Sequence, residues 1–434
     1  VATAQGYRYD FLTGQIRETG LVLVGSQPSG ADIYINGKRT KYKSPLRLAD
    51  APVGKLTVEQ VLTGYRVWRK LLTVQGQEVS FADYAILLPQ KLTYTSFLSE
   101  YKVTQLVQTS DKRKTFMLTS KPQAALWQLD NNNTPNKRYE VPGNSADPSL
   151  VNLQISEDGN SVLFRQNSNG LSSLIAIAGN NSPVNITEAL QIKDGTLSFN
   201  PDNNREIFWL STEGVVRKVS LEDQTLGPVL ANNVVSFSVQ KSRSYYVTKP
   251  DEINPTPVLW VIDNSGQDKK PVTKTLPPST SYQIDYSKPR INSYVAVLAS
   301  DTKQLFIVSN PTSDKPTTSM LSKDTANFSF SNDGTYIVYN SSNTLKTYDF
   351  ERALRYNFGS SLVDLTSWYW YDDSHILVVA NKQLRLIDYD GQNDQVISDT
   401  ADMVESAAIR NSSDSVIYTS SGNLRSVSLT ENKF

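Results

Sequence analysis

From residue 91 onward the chain repeats itself, and that repeat limits its fold more than any other feature. A five-residue segment led by Leu or Val recurs eight times. The instances are Leu126-Trp127-Gln128-Leu129-Asp130, Leu174-Ile175-Ala176-Ile177-Ala178, Val216-Arg217-Lys218-Val219-Ser220 and Leu259-Trp260-Val261-Ile262-Asp263. They continue as Leu305-Phe306-Ile307-Val308-Ser309, Leu345-Lys346-Thr347-Tyr348-Asp349, Leu384-Arg385-Leu386-Ile387-Asp388 and Leu424-Arg425-Ser426-Val427-Ser428. Successive leading residues lie 48, 42, 43, 46, 40, 39 and 40 positions apart. A second apolar segment precedes each, as in Val162-Leu163-Phe164 and Ile337-Val338-Tyr339, and turn residues such as Ser156-Glu157-Asp158-Gly159 and Ser331-Asn332-Asp333-Gly334 stand just upstream. Asp-Gly pairs permit the tight reversal that joins two antiparallel strands.

A unit this small cannot cover both faces of its own sheet. Stacking such units radially covers every face and leaves only short edges. A period near 40–45 residues is that of a propeller blade, so residues 91–434 are expected to form a β-propeller. Eight units are favoured, and seven stay open, because the most degenerate stretch, 91–140, can instead pair with a terminal strand to close the ring. The Ser-x-Asp-Gly…Ile-Val-Tyr pattern resembles TolB-like and WD40-like propeller repeats, although the Trp-Asp signature of true WD40 blades is missing.

Residues 21–88 show strand alternation with no helical period. Asn36-Gly37 follows Ile33-Tyr34-Ile35 and supplies the two positive-φ residues of a type I′ hairpin. The order Pro28-x-Gly30-Ala31, Ile-x-Ile-Asn-Gly, Pro52-x-Gly54-x-x-x-Val58 and Gly64-Tyr65 resembles the PEGA domain, with Ser29 in place of the Glu of the name motif. Pro and Gly do the physical work of that motif, fixing φ and letting the chain reverse. The resemblance implies a small extracytoplasmic β-sandwich with no catalytic residues to carry over. The whole chain is thus expected to be all-β: residues 1–17 a tail or short hairpin, 18–90 a PEGA-type sandwich, and 91–434 the propeller. By the same resemblance, a membrane-anchor helix is expected to precede Val1.

Composition narrows the functions. The 43 basic and 43 acidic residues cancel, and nucleic-acid binding calls for a concentrated basic patch. The triplet Lys112-Arg113-Lys114 is read as a loop tip, so no nucleic-acid partner is expected. With no cysteine and one histidine, thiolate chemistry is excluded and a Ser-His-Asp triad is improbable. His375 is read as a turn-edge residue. Neither a Gly-x-Ser-x-Gly elbow nor a phosphate-binding loop is present. The oxygen-rich stretch Asp388-Tyr389-Asp390-Gly391-Gln392-Asn393-Asp394 is a candidate calcium loop, but it lacks a distal Glu and is read as a turn. No catalytic residue, metal site or cofactor is therefore assigned.

The aromatic run Trp368-Tyr369-Trp370-Tyr371 is the candidate binding surface. Strand alternation puts both Trp on one face and both Tyr on the other, and inter-blade packing is the competing reading. The expected function is a monomeric, extracytoplasmic, cell-surface or membrane-anchored binding or scaffold protein without catalytic activity. Its partner would be a protein or glycan of the cell envelope. The alternative is a carboxylate-dependent hydrolase acting at the propeller axis.

Overall fold

The computed structural model describes residues 7–10, 14–130, 132–143, 145–192, 194–342, 344–359, 362–399, 403–410 and 414–430. Apart from one helix at Ile186–Leu190 and turns, their regular structure is β-strand. Any segment before Val1 lies outside the described residues.

The N-terminal part forms two four-stranded sheets. Their strands are β1 (Tyr7–Asp10), β2 (Gln15–Gln27), β3 (Asp32–Ile35), β4 (Lys38–Lys43), β5 (Leu46–Pro52), β6 (Gly54–Val61), β7 (Trp68–Val74) and β8 (Val79–Ile86). One sheet runs β4-β3-β6-β7, and the other builds β1, β5 and β8 onto the long β2. Inward residues alternate along β6 and β7, and Val22, Val24, Ile33, Leu56, Val58, Trp68, Leu72 and Val74 form one buried cluster between the sheets. At the β3–β4 reversal Asn36 and Gly37 both hold positive φ, 48° and 76°, as the Asn-Gly pair predicts.

The rest forms a β-propeller. Among the described residues there are eight successive four-stranded antiparallel sheets, the first seven in chain order throughout. The eight Leu- or Val-led segments are the third strands of these sheets, and the apolar segments before them are the second strands. All eight leading side chains are buried. First strands of several neighbouring sheets lie side by side, among them Val234–Gln240 and Tyr282–Ser287, and the first strand of the first sheet, Lys102–Gln108, lies against that of the last, Val404–Ile409. The fourth strand of the last sheet comes from the start of the propeller: β9 (Thr93–Phe97) pairs antiparallel with Asn423–Ser428. A strand from one end therefore completes the sheet at the other.

Three of the turns between first and second strands share a hydrogen-bond scheme. Thr109, Ser156 and Ser331 each donate a hydroxyl to the Asp two residues on, at 2.7, 2.6 and 2.7 Å. Each hydroxyl also accepts the backbone N–H five residues on, from Lys114, Ser161 and Tyr336. Such side chains satisfy turn backbone groups that no ladder reaches.

Candidate functional site

The sandwich is docked on the propeller along its own open side. β7 ends one sheet and β8 is bonded on one side only, to β2. Open edges expose unpaired N–H and C=O groups, which proteins cover or blunt. Here the cover is the turn from Asp388 to Asp394. The Asn393 side chain accepts the N–H of Arg69 and donates to its carbonyl, both at 2.9 Å. Gln392 does the same for Leu71, at 2.9 and 3.5 Å. Gly391 makes the turn possible: its φ is +82°, and a Cβ there would meet the Phe358 backbone at 3.1 Å.

Beneath these amides lies a buried ion pair between the modules. Lys70 Nζ bonds Asp390 Oδ2, with the two side chains 2% and 4% exposed. The ammonium also lies 5.2 Å from the ring centre of Tyr84 and 4.9 Å from that of Tyr389, close enough for cation–π attraction. Tyr84 packs edge-on against Trp68 at 5.7 Å and His375 at 5.7 Å. Tyr336 stacks on Tyr389 at 4.3 Å.

His375 stands where a turn meets a strand, and its ring is buried. It opens the second strand of the seventh sheet, His375–Ala380, and is 2% exposed. Its Nδ1 lies 2.8 and 2.9 Å from the two carboxylate oxygens of Asp372, while Nε2 faces Asp388 Oδ1 at 3.6 Å, too far for a hydrogen bond. Burial works to lower the His375 pKa, but the hydrogen bond and charge of Asp372, with Asp388 adding, leave it raised. Burial raises Asp388 above the ordinary carboxylate value, and His375 and Lys70 offset part of that. Asp372 is held low despite burial, chiefly by the hydrogen bond from His375.

The candidate calcium loop is thus the docking turn, and its carboxylates are already engaged. Asp390 binds Lys70, Asp388 accepts from Asn393 at 2.9 Å, and Asp394 forms a two-bond pair with Arg385 at 2.7 and 2.9 Å. No group of three or more His, Asp or Glu among the described residues is placed to hold a metal. The basic triplet is likewise held locally: Lys112 reaches the Tyr371 carbonyl, Arg113 pairs with Asp111 and Lys114 bonds Asn160.

Trp368, Tyr369 and Trp370 lie on the first strand of the seventh sheet, Ser367–Trp370, and Tyr371 follows it. Both Trp pack into the cluster shared with the sixth sheet and both Tyr into the cluster shared with the eighth. Trp368 also donates to Ser329 Oγ at 3.0 Å. The two faces are those that alternation assigns, and all four rings pack between sheets.

Around the axis, polar side chains tie one first strand to the next. Gln105 accepts the N–H of Leu153, and Gln108 bonds both the N–H and the carbonyl of Ile409. Ser236 accepts the N–H of Tyr282, and Gln283 donates to the Phe328 carbonyl. Gln240 reaches Asp285 at 3.4 Å, and burial pushes the Asp285 carboxyl up to about 6.

Beside the ion pair opens a cleft of about 660 Å³ walled by both modules. Leu71 and Thr73 of β7 and Val79 and Phe81 of β8 form one side, and Arg352, Leu354 and Tyr356 of the sixth sheet and its loop form another. No residue of this junction was assigned from sequence. One signal was present: in Trp68-Arg69-Lys70-Leu71-Leu72-Thr73-Val74, alternation sets Lys70 among Trp68, Leu72 and Val74 on the apolar face. A lysine there calls for a buried partner.

Residues 19–85 match the PEGA domain family. No curated protein sequence matches the chain significantly. Among solved structures, dipeptidyl peptidase 4 of Porphyromonas gingivalis is similar over 74% of this chain and 56% of its own, with 12% identity and a TM-score of 0.52. Prolyl endopeptidases align over 69% of this chain and 50% of theirs, at 12% identity and TM-score 0.48. An oligogalacturonate lyase from Vibrio parahaemolyticus aligns over 79% and 98%, at 13% identity and TM-score 0.44. The chain spans little more than half the length of the peptidases it matches. The likeness to the dipeptidyl peptidase, at a TM-score of 0.52, overturns the expectation of a chain without catalytic activity. The propeller, on which that expectation partly rested, is shared with enzymes, and a fold does not decide the chemistry of its loops and attached modules.

Proposed function

We propose that the chain is an extracytoplasmic, cell-envelope-associated binding or scaffold protein whose ligand site is the cleft between sandwich and propeller, with residues 18–90 and 91–434 as the two modules. The carrying observation is that this 660 Å³ cleft takes its walls from both modules and abuts a buried inter-module ion pair. A rigid junction lowers the ordering cost of binding between two domains. The PEGA match supports a location outside the cytoplasm, with a protein or glycan of the envelope as partner. No helix among the described residues is long and apolar enough to cross a membrane, so anchoring is proposed through a segment beyond them. The test is a binding screen against envelope peptides and glycans, comparing the native chain with Phe81→Ala. Ligands retained equally by both would remove the cleft as the site.

The second reading, a carboxylate-dependent hydrolase at the axis, has one specific support: Asp285, beside the axis with a pKa near 6, in the range of a general acid or base. Loss of hydrolysis of an envelope substrate in Asp285→Asn would favour it. Equal turnover by native and variant chains would end it.

A further inference from the structure

The cleft carries features of a site for a particular kind of partner. In an antiparallel pair, edge peptide groups turn outward at every second residue. On β7 the outward groups at Arg69 and Leu71 are bonded by Asn393 and Gln392, two side-chain amides that imitate a neighbouring strand. Thr73 is next in that series. Its N–H and C=O therefore point away from β6 as well, no hydrogen bond among the described residues meets them, and Thr73 lines the cleft.

Four exposed apolar side chains stand in the cleft with Thr73, among polar groups that include Gln75, Glu78 and Arg352. Leu71, Val79, Phe81 and Leu354 are 51%, 39%, 40% and 45% exposed, and all four face this one cleft. Clustered exposed apolar residues mark interaction surfaces more often than scattered ones do. The Arg352 guanidinium lies 5.5 Å from the Phe81 ring centre. Its contacts are loose: the Val79 carbonyl at 3.4 Å and Asp349 at 4.0 Å. The neighbouring Glu351 is paired with Arg290 at 3.1 Å. Arg352 thus offers a planar cation matched to a carboxylate.

We infer that the cleft receives an extended peptide segment of a partner protein, added as a strand to β7 at Thr73. Its alternate apolar side chains rest on Leu71, Phe81 and Leu354, and a carboxylate of the segment meets Arg352. Strand addition draws affinity from main-chain bonds and selectivity from pockets for alternate side chains. This identification rests on the cleft being the ligand site, and it names the class of ligand.

The test is selection of a phage-displayed heptapeptide library on the immobilised full chain. Synthetic copies of the selected peptides are then titrated by fluorescence anisotropy. Thr73→Pro removes only an outward N–H, which an edge strand tolerates. Arg352→Gln removes the cation, Phe81→Ala removes the ring, and Lys41→Ala on the distant β4 edge is the control. Selected peptides are expected to alternate apolar residues and to carry a carboxylate. They should bind at least tenfold more weakly to Thr73→Pro and to Arg352→Gln, with Lys41→Ala unchanged. Circular dichroism checks folding, and Arg352→Gln keeps the test open should Thr73→Pro unfold. Peptides that bind equally to all variants, or a library that yields none, would overturn the inference. If a glycan array shows ligands lost in Phe81→Ala and kept in Thr73→Pro, the cleft remains the site and the peptide assignment falls. If no ligand of either class responds to a cleft substitution, both fall.

Discussion

Replacing Lys70 with alanine removes one partner of a buried ion pair and leaves the other in place. Asp390 would then sit 4% exposed beside Tyr84 and Tyr389, keeping a bond from the Gln392 amide at 2.6 Å but no cation. Breaking such a pair on one side costs about 3–5 kcal/mol, because the remaining charge is uncompensated. Lys70→Ala should fall in that range or slightly beyond it, since it also removes the buried stem that packs against the rings. Lys70→Met keeps the stem and isolates the charge effect. Combining Lys70→Met with Asp390→Asn neutralises both partners, and replacing both sides of a buried pair is often close to neutral. The double variant should therefore recover most of the loss and show strong non-additivity. Guanidinium unfolding followed by tryptophan fluorescence is a direct assay, and Trp68, the sandwich's sole tryptophan, packs against Tyr84 at the junction. A change under about 0.5 kcal/mol in Lys70→Ala, the size of an ordinary surface substitution, would refute the docked arrangement. It would mean that Asp390 is solvated and the modules are apart in solution.

His375 is the only histidine, so one imidazole NMR signal reports its titration. Its raised folded pKa means that the imidazolium stabilises the fold fully below the unfolded value of 6.5, and that this contribution is lost as pH climbs through the folded pKa. A midpoint at or below 6.5, or the same loss of stability over that window in His375→Gln, would contradict the pairing with Asp372. Asp285 acts in the same direction over a lower window: the folded state holds its proton up to about 6, so its charge weakens the fold as pH rises from near 4 through 6. Asp285→Asn should flatten the stability profile in that interval, and an unaltered profile would argue against its burial. Leu259, fully buried as leader of a third strand, should cost about 2–5 kcal/mol on truncation to alanine. A denaturation midpoint equal to the native one would place it outside the core.

Much of the architecture was legible because strand patterns are local. Alternation assigned Trp368 and Trp370 to one face and Tyr369 and Tyr371 to the other, and the spacing of the Leu-led segments marked the third strand of every propeller sheet. The His375 environment was not legible, since neither its burial nor its second carboxylate, Asp388, follows from the segment Asp372-Asp373-Ser374-His375. The stretch from Asp388 to Asp394 is legible as a turn, but its role in docking is not, for the same reason: its cation comes from another module.

The amino-acid order alone determined which faces are apolar, where the chain reverses and how often the sheet unit recurs, because each depends on neighbours a few residues away. It even marked Lys70 as a charge on a core-facing position. Only the tertiary structure decided what meets that charge, Asp390 lying 320 positions along the chain, and that β9 completes the last sheet by pairing with Asn423–Ser428. Short strands and buried carboxylates have many chemically equivalent partners in sequence. Close packing and the need to cover open edges select one of them.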